Sequence, residues 1–432
     1  RRSSHSAVNG GRVNGYVTKT KPFTIDKWQV VRAYELVKAN AGAAGIDQQS
    51  IADFDKNRKN NLYKLWNRLS SGSYCPAPVK AVAIPKKSGG ERILGIPSVS
   101  DRIAQMVVKM AFEPKVEPHF LPDSYGYRPG KSALDAIGIT RKRCWSYNWV
   151  LEFDIKGLFD NIPHELLLKA VDKHQPTAWI RLYIQRWLTA PMVMPDGEVR
   201  ARTQGTPQGG VISPLLANLF MHYVFEKWLQ QHYPNIPWCR YADDGLVHCR
   251  SESEAKHMLE VLRERFIACG LELHPEKTKI VYCKDGSRKG NYEHTSFDFL
   301  GYTFRRRVVK NRKRNSLFVS FTPAVSKVAL KAMRRKIKVL KVRSRTELNI
   351  AQLGGWLNPI INGWIGYYGR YNRSALYSLF RHINKALIRW ARRKYKTLRR
   401  HKTRTLKFLE GIATKSPRLF AHWRAGMVGR FS

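Results

Sequence analysis

The chain has few acidic residues and no long apolar run. Its 432 residues include 32 Asp and Glu against 77 Lys and Arg, which gives a formal net charge of +45. No stretch approaches the ~20 apolar residues of a spanning helix, and no apolar leader with a cleavage site follows the basic N-terminus. Self-repulsion on this scale favours an acidic partner. Nucleic acid is the leading candidate, and an anionic membrane surface is the weaker alternative.

Cysteine is scarce and scattered. The six cysteines contain no Cys-x-x-Cys pair, which indicates free thiols in a reducing compartment instead of a disulfide framework or a structural zinc site. Hydrophobic residues make up 43% of the chain. That fraction argues against a disordered polymer, and at roughly 100–200 residues per domain the length predicts two to four domains.

The positive charge is concentrated towards the C-terminus. Residues 303–432 contain 34 Lys and Arg but two acids, so +32 of the surplus lies there and +13 before it. Apolar residues recur at helical spacing between Leu376 and Trp390, which predicts a helix with one buried face. A solvated surface helix is the alternative, but such faces usually mix both signs. We therefore interpret its cations as RNA-binding through phosphates; they are Arg381, Lys385, Arg389, Arg392, Arg393 and Lys394.

Composition and periodicity divide the chain into consecutive segments. Helices are predicted over Lys27–Asn40 and Ile51–Leu69. The segments are a flexible basic arm over 1–24, a helical extension over 25–75, a segment opening with a strand over 76–149, alternating strands and helices over 150–303, a basic connector interpreted as a hairpin loop over 304–319, helices over 320–400, and a short basic tail of DNA-binding character over 401–432.

Two acidic motifs carry the clearest signal for chemistry. Asp243 and Asp244 lie between strand-forming flanks, which predicts a hairpin with both acids at its tip; a plain surface turn is the alternative. Asp154 ends an apolar strand. If these strands are neighbours, the three carboxylates repel unless cations neutralise them, and Mg²⁺ favours one or two carboxylates plus substrate phosphates. Two such ions about 4 Å apart suit nucleotidyl transfer, with a 3′-hydroxyl attacking and pyrophosphate leaving.

Several stretches in one order resemble the reverse transcriptases. They are FDIKGLFD at 153–160, QGTPQGGVISP at 204–214, YADD at 241–244 and FLGY at 299–302, which resemble the first palm motif, the PQG segment, the YxDD motif and the primer-grip turn. Residues 84–102 and 124–129 resemble the fingers of one branch, the group II intron reverse transcriptases. LGGWLNP at 353–359 and GWIGYY at 363–368 resemble the thumb, or X domain, of intron-encoded maturases.

This resemblance implies a fold and an activity. The expected fold is α+β: a right-hand polymerase whose fingers (76–149) and palm (150–303, with an antiparallel sheet) precede an α-helical thumb or maturase X domain. The expected activity is RNA-directed DNA synthesis with two Mg²⁺ ions, joined to maturase binding of the group II intron RNA during splicing and retrohoming. The implied partners are that RNA, an RNA template with a DNA primer, dNTPs and target DNA, in a bacterial cytoplasm or nucleoid, with no membrane.

The resemblance also implies roles for the acids. Asp154 and Asp243 are the implied metal ligands together with the backbone carbonyl of Ile155, which also borders the dNTP, and Asp244 completes the cluster. Asp160 resembles a fourth acid, but its place near a helix start indicates capping or packing. No HNH endonuclease is expected, because the tail has neither Cys pairs nor a His-rich cluster.

Lysine and arginine positions are implied to handle phosphates. Lys86 and Arg92 would contact the incoming triphosphate, with Lys87 or plain surface charge as the alternatives. Lys277 is implied to protonate the leaving pyrophosphate, although Lys279 or ordinary surface charge explains the same pattern.

Two more residues are implied to select the nucleotide. Gln208 would support the dNTP or the template strand. Phe159 would clash with a 2′-hydroxyl and so select dNTPs, the alternative being a core aromatic. Other functions consistent with the sequence are a non-catalytic splicing factor, a domesticated reverse transcriptase in defence, and an RNA-dependent RNA polymerase.

Overall fold

The computed structural model describes residues 21–85, 90–311 and 314–427, which group into two compact units. The first unit contains the chain up to Phe120 and then Gly157–Tyr223, and the second contains Leu121–Lys156 and then the chain from Val224. The units therefore alternate along the sequence. The consecutive division into arm, fingers, palm and thumb stays a prediction. Lys86 and Lys87 lie outside the described residues, as do residues 1–20 of the predicted arm.

Helices and strands are numbered in chain order. The helices are α1 (Lys27–Asn40), α2 (Ile51–Lys56), α3 (Arg58–Ser71), α4 (Val99–Val116), α5 (Ala133–Ser146), α6 (Leu158–Asn161), α7 (His164–Asp172), α8 (Ala178–Thr189), α9 (Ser213–Met221), α10 (Lys227–His232), α11 (Glu252–Ala268), α12 (Lys327–Val339), α13 (Ile350–Tyr368), α14 (Tyr377–Lys394) and α15 (Lys402–Lys415). The strands are β1 (Val79–Pro85), β2 (Glu91–Ile96), β3 (Trp149–Asp154), β4 (Met192–Val193), β5 (Val199–Arg200), β6 (Trp238–Tyr241), β7 (Asp244–Cys249), β8 (Lys279–Tyr282), β9 (Ser296–Phe299), β10 (Tyr302–Asn311) and β11 (Ser316–Val325). Among the described residues, none of these helices is both long and apolar enough to cross a membrane.

The first unit combines helices with a small sheet of order β2-β1-β4-β5. Helix α1 has the bounds that the sequence predicts, because Asp26 caps it by accepting a bond from the Trp28 N–H at 3.0 Å. The helix predicted over 51–69 is instead divided into α2 and α3. Asn57 causes the break, because its backbone (φ −131°, ψ 40°) leaves the helical region.

The second unit is built on an antiparallel sheet of order β6-β7-β3-β8. Its central strands are largely buried on both faces, and Val150, Leu151, Leu246 and Val247 are fully buried. The expected α+β fold with an antiparallel palm sheet is confirmed. The sheet sets the register of the strand ends, and Asp154 pairs directly with Asp244.

The segment 304–319, predicted as a hairpin loop, is mostly strand. Strands β10 and β11 pair without interruption from Tyr302↔Val325 to Asn311↔Ser316. The predicted hairpin is therefore present, but most of the segment belongs to its strands and not to a loop. Phe304 and Phe321 are fully buried, whereas the adjacent Arg305 and Arg306 are both exposed. The run of arginines therefore interrupts the two-residue alternation by which a half-buried strand is recognised.

Helices α12 to α15 enclose a separate hydrophobic core. The buried face predicted for α14 is confirmed, since Leu379, Ile383, Leu387 and Trp390 are 0–1% exposed. The segment 401–432 is not an extended tail within its described part. It forms α15, and Phe420 and Trp423 beyond that helix are fully buried in the same core.

Helix α13 holds this last segment by its backbone. The Asn358 side chain donates to the Leu419 carbonyl at 3.0 Å and accepts from the Ala421 N–H at 2.8 Å. Gly354 lies one turn earlier, and a Cβ there would lie 2.7 Å from the Leu419 carbonyl oxygen. The glycine and the asparagine of the thumb motif therefore form a docking site for the chain after α15.

Candidate active site

The two acidic motifs meet at one end of the central strands of the second unit. The β6–β7 hairpin turns through Ala242 and Asp243, so the prediction that the acids lie at a hairpin tip is confirmed. Ala242 has φ +58°, a left-handed conformation that reverses the chain within two residues. Asp154 and Asp244 face each other across paired strands, at the 4.5–5.5 Å Cα spacing of antiparallel neighbours.

The surroundings of Asp244 oppose its ionisation. Burial, followed by the charges of Asp243 and Asp154, raises the pKa of Asp244 to about 7, and Lys277 opposes this rise. The Lys277 ammonium donates to Asp154 Oδ2 at 2.9 Å. A cluster in this state suits divalent cations, because added positive charge favours the ionised carboxylates. Among the described residues, no group of three or more His, Cys, Asp or Glu side chains is arranged to hold a metal ion.

Sequence reasoning missed a further carboxylate, Glu152. It lies two residues before Asp154 on β3 and therefore points to the same face. Together with Asp298 it lines the cleft that contains Asp154 and Asp244. Burial is the main reason that the pKa of Glu152 rises to about 8, against the opposing charge of Lys279. The two-residue spacing on a strand was the signal that could have indicated it.

Lys277 and Ile155 fall near the acids. The predicted proton donor Lys277 contacts the Asp154 carboxylate, as described above, while Lys279 begins β8. Ile155 is 1% exposed and forms an isolated antiparallel bridge with Leu273. The Asp154 carbonyl accepts from the His274 N–H at 2.8 Å, so the end of β3 is held by the chain before β8.

A buried arginine also supports the acidic turn through hydrogen bonds. Arg240 is fully buried on β6 and donates from Nε to Glu226 Oε1 at 3.0 Å. Its Nη1 donates to the Ala242 carbonyl at 2.9 Å, and its Nη2 donates to Ser124 Oγ at 2.9 Å. The guanidinium therefore fixes the peptide that immediately precedes Asp243. Sequence reasoning also missed this residue.

A loop at 123–128 packs against the same turn. Gly126 lies so close that a Cβ there would be 2.5 Å from the Ala242 nitrogen. The Tyr125 N–H donates to the Arg240 carbonyl at 2.9 Å, and Arg128 Nη1 donates to the Ser124 carbonyl at 2.8 Å. The stretch that resembles fingers at 124–129 thus supports the acidic turn within the second unit.

The residues predicted to handle the nucleotide lie together in the first unit. Arg92 Nε donates to Gln208 Oε1, and Gln208 Nε2 donates to Asp160 Oδ2 at 3.2 Å. The half-buried Phe159 accepts from the Thr206 N–H through its carbonyl at 2.7 Å. Three of the predicted positions, Arg92, Gln208 and Phe159, are therefore brought together, and Asp160 joins them as a hydrogen-bond acceptor. Their roles toward a dNTP stay predictions.

The cations predicted on α14 divide into two groups. Arg381, Lys385, Arg389 and Arg393 are exposed. Arg392 instead donates to the Arg399 carbonyl at 3.2 and 3.1 Å. Lys394 donates to the Thr346 carbonyl at 2.7 Å. Arg392 and Lys394 therefore support neighbouring loops.

Comparison with known proteins agrees with this geometry. Residues 84–304 match the reverse transcriptase (RNA-dependent DNA polymerase) family, and residues 330–408 match the group II intron maturase-specific domain. The chain therefore belongs to the reverse transcriptases, the polymerases that copy RNA into DNA. Within them it belongs to the group II intron-encoded reverse transcriptases and maturases.

Three proteins illustrate the sequence similarity of the chain to known relatives. Protein YkfC of Escherichia coli K12 is 33% identical over 325 residues, which are 65% of this chain and 79% of that protein. The group II intron-encoded protein LtrA of Lactococcus lactis is 33% identical over 201 residues, 46% of this chain and 33% of LtrA. The 91 kDa protein in the cob intron of Schizosaccharomyces pombe is 27% identical over 427 residues, covering 81% of this chain and 50% of that protein.

Proposed function

We propose that the protein is the RNA-directed DNA polymerase of a mobile group II intron and that it also binds the intron RNA as a maturase. The observation that carries the polymerase activity is the direct pairing of Asp154 with Asp244 at the turn that contains Asp243. In this proposal the RNA template, the DNA primer, dNTPs and target DNA bind to the protein in a bacterial cytoplasm. The maturase activity assists splicing, and the polymerase copies the intron during retrohoming.

Asp154 and Asp243, with the Ile155 carbonyl, would hold two Mg²⁺ ions. When bound, such ions lower the pKa of a 3′-hydroxyl and stabilise the charge on the leaving pyrophosphate. Asp244 stays close enough to tune the charge of the cluster, as its raised pKa indicates. Lys277 contacts Asp154, and moving that ammonium to the pyrophosphate would let it donate a proton there.

Nucleotide selection is assigned to the first unit. Arg92 would contact the triphosphate, and its bond to Gln208 holds the guanidinium in place. Lys86 would provide a second contact by family resemblance. Phe159 would exclude the 2′-hydroxyl. The exposed cations of α14 would bind intron RNA through its phosphates, because A-form grooves expose phosphate and 2′-hydroxyl more readily than base edges.

Primer extension on an RNA template with Mg²⁺ tests the proposal. We expect cDNA from the wild-type protein and a loss of synthesis in Asp243→Asn, which keeps the side-chain shape but removes the charge. Asp196→Asn is the matched control, because Asp196 is exposed in the turn before β5. If Asp243→Asn extends primers as well as the control, the assignment of the catalytic acids is wrong.

A parallel splicing assay separates the polymerase from a non-catalytic splicing factor. The proposal requires Asp243→Asn to retain RNA-dependent splicing assistance while it loses DNA synthesis, because the maturase role uses RNA contacts and not the acids. A wild-type protein that assists splicing but makes no cDNA would instead favour the splicing factor.

A further inference from the structure

One side of helix α5, in the second unit, carries an arginine between two aromatic rings. Arg141 and Trp145 are four residues apart and therefore lie on the same side of the helix. The Arg141 guanidinium carbon is 4.5 Å from the centre of the Trp145 ring. It is also 5.5 Å from the centre of the Tyr371 ring, which comes from the chain after α13. We call Gly138, Arg141, Trp145 and Tyr371 the α5 cluster.

Hydrogen bonds to the backbone hold both rings of the α5 cluster in place. Trp145 Nε1 donates to the Phe321 carbonyl of β11 at 3.1 Å, and the Tyr371 hydroxyl donates to the Leu134 carbonyl of α5 at 3.0 Å. Gly138 allows this approach, because a Cβ there would lie 2.9 Å from the Tyr371 hydroxyl oxygen. The polar atoms of the two rings are therefore satisfied, and the rings have fixed places on either side of the arginine.

The arginine of the α5 cluster lacks a polar partner. Among the described residues Arg141 forms neither a hydrogen bond nor an ion pair, and its Nε is buried. Burial lowers the pKa of its guanidinium, and Tyr371 opposes this effect. Asp135, an acid on the same helix, is already engaged in capping α5, where it accepts from the Ser132 N–H at 3.0 Å. A partly desolvated guanidinium without an acceptor is unfavourable by itself, so this position suits an anion that supplies the missing acceptors.

The α5 cluster also presents apolar surface beside this arginine. The Trp145 ring is 46% exposed. Arg141 is half-buried, so a ligand can reach its guanidinium, and the exposed Arg370 next to Tyr371 adds positive charge. A phosphate joined to a flat apolar ring is the chemistry of a nucleotide, because arginine binds phosphate through its planar fork and unpaired bases stack on aromatic side chains. The cleft that contains the acids is lined by other residues.

We propose that the α5 cluster binds an unpaired nucleotide of single-stranded RNA. Arg141 binds the phosphate, and the exposed part of the Trp145 ring stacks against the base. This inference rests on the proposed binding of RNA and adds a contact that lies outside both the acidic cleft and α14. A base inside a duplex is already stacked on its neighbours, so the α5 cluster selects RNA that is not paired.

Photocrosslinking to 5-iodouridine tests the inference at a single residue, because irradiation joins this base to an aromatic side chain on which it stacks. The probe is a short oligouridylate with one 5-iodouridine, and mass spectrometry of the full-length chain identifies the crosslinked peptide. We expect a crosslink at Trp145 with the single strand. Annealing the probe to oligoadenylate should lower the yield at Trp145 by about fivefold or more, because the base is then held in a duplex.

Matched variants of neighbouring residues separate this site from general charge. Arg141→Gln and Lys142→Gln each remove one positive charge from α5, and Lys142 is exposed. We expect Arg141→Gln to lower the crosslink yield at Trp145 about tenfold, whereas Lys142→Gln should stay within about twofold of the wild type. Thermal unfolding of both variants is measured in parallel, and both should keep the wild-type unfolding temperature.

Three results would overturn the inference. They are equal yields from the two variants, a lower unfolding temperature of Arg141→Gln with an unchanged crosslink, which would mean that the arginine only packs on the ring, and no crosslink at Trp145 in the wild type, which decides without any variant. Splicing and primer-extension assays separate the inference from the proposed function. A wild-type protein that assists splicing and makes cDNA without this crosslink removes the inference alone, whereas the crosslink in a protein with neither activity removes the proposed function alone.

Discussion

Arg240 is a single buried side chain that can control the position of Asp243, a carboxylate proposed to be catalytic. Its guanidinium bonds Glu226, Ser124 and the Ala242 carbonyl, so the peptide before Asp243 has a fixed orientation. A misplacement of about 1 Å in an active site can lower the rate by about a hundredfold. We therefore propose that Arg240 is a positioning residue for Asp243.

Arg240→Lys should therefore lower kcat more than it raises KM for the primer–template. Lysine keeps the charge but cannot reach all three acceptors, so we expect kcat to fall by about tenfold or more. Arg143→Lys is the control, because Arg143 donates to the carbonyl of Trp238 at the other end of β6. Steady-state kinetics at saturating Mg²⁺ distinguish the two, and equal kcat values in both variants would exclude a positioning role.

Phe159 is the second residue whose role can be isolated. Its ring is half-buried in the first unit, and its backbone is held by Thr206, so truncating the side chain should leave the backbone in place. We expect Phe159→Ala to raise the efficiency with rNTPs relative to dNTPs by at least tenfold, because the barrier to the 2′-hydroxyl is removed. Competition between dNTPs and rNTPs in primer extension measures this ratio, and unchanged rejection of rNTPs would contradict the prediction.

The residues of the site that could be predicted are those that lie in a recognisable local sequence pattern. Asp243 and Asp244 follow a strand signal and a turn, and Asp154 ends an apolar strand, so each could be found in its own stretch of sequence. Glu226 and Arg240 are 14 residues apart, and only the folded chain brings them to one turn. Their pairing left no periodic pattern in the sequence, which is why it was missed.

At the level of elements, helix α14 carries cations in two different settings. Its exposed cations recur at intervals of four along one side, whereas Arg392 and Lys394 donate to backbone carbonyls of neighbouring loops. Replacing Arg381, Lys385 and Arg389 together by Gln should weaken intron RNA binding. The salt slope should fall by about two to three, because up to three phosphate contacts are lost.

Replacing Arg392 and Lys394 by Gln provides the comparison. Here we expect a loss of stability of about 1–3 kcal/mol, since each change removes charge-assisted bonds to carbonyls, with a smaller effect on RNA affinity. Filter binding and thermal unfolding of both variants check this division. If the first variant unfolds more easily and the second loses more RNA affinity, the division is wrong.

Helices and strands could be predicted where the hydrophobic periodicity was clear. The predictions failed where charged residues obscured that periodicity. Helix α1 and the buried face of α14 follow from the spacing of apolar residues. The strands β10 and β11 were hidden by arginines, and α15 was hidden by its basic composition, although Leu409 and Ala413 on it are fully buried. Long cationic side chains can cover apolar surface with their aliphatic stems while the charge stays in water, so a basic stretch need not be a loop or a tail.

At the scale of the whole molecule, buried histidines make stability depend on pH. Burial lowers the pKa of His248 to about 3, and neither of its ring nitrogens has a hydrogen-bond partner within the described residues. The unfolded chain binds a proton near pH 6.5, whereas the folded chain does so only near pH 3. The contribution of this histidine to stability is therefore complete above pH 6.5 and falls as the pH drops through that window.

His248→Phe should remove this dependence. Relative to the wild type, the variant should gain about 2 kcal/mol of stability between pH 6.5 and pH 5, at about 1.4 kcal/mol per pH unit. The difference between proteins is the right quantity, because the raised pKa values of Glu152 and Asp244 act in the opposite direction in both. Denaturant unfolding of both proteins at pH 7 and pH 5 without Mg²⁺ measures this difference in the free energy of unfolding. The same difference at both pH values would contradict the prediction.

The docking of the chain after α15 onto Asn358 and Gly354 sets an order for folding during synthesis. The sheet that holds Asp154 and Asp244 has all its strands once Tyr282 has left the ribosome. The core of α12 to α15 closes only after Phe420 and Trp423 have followed. For the time that the ribosome needs to add those residues, the nascent chain has its catalytic sheet but an open helical core, which is when chaperones would encounter its apolar surface.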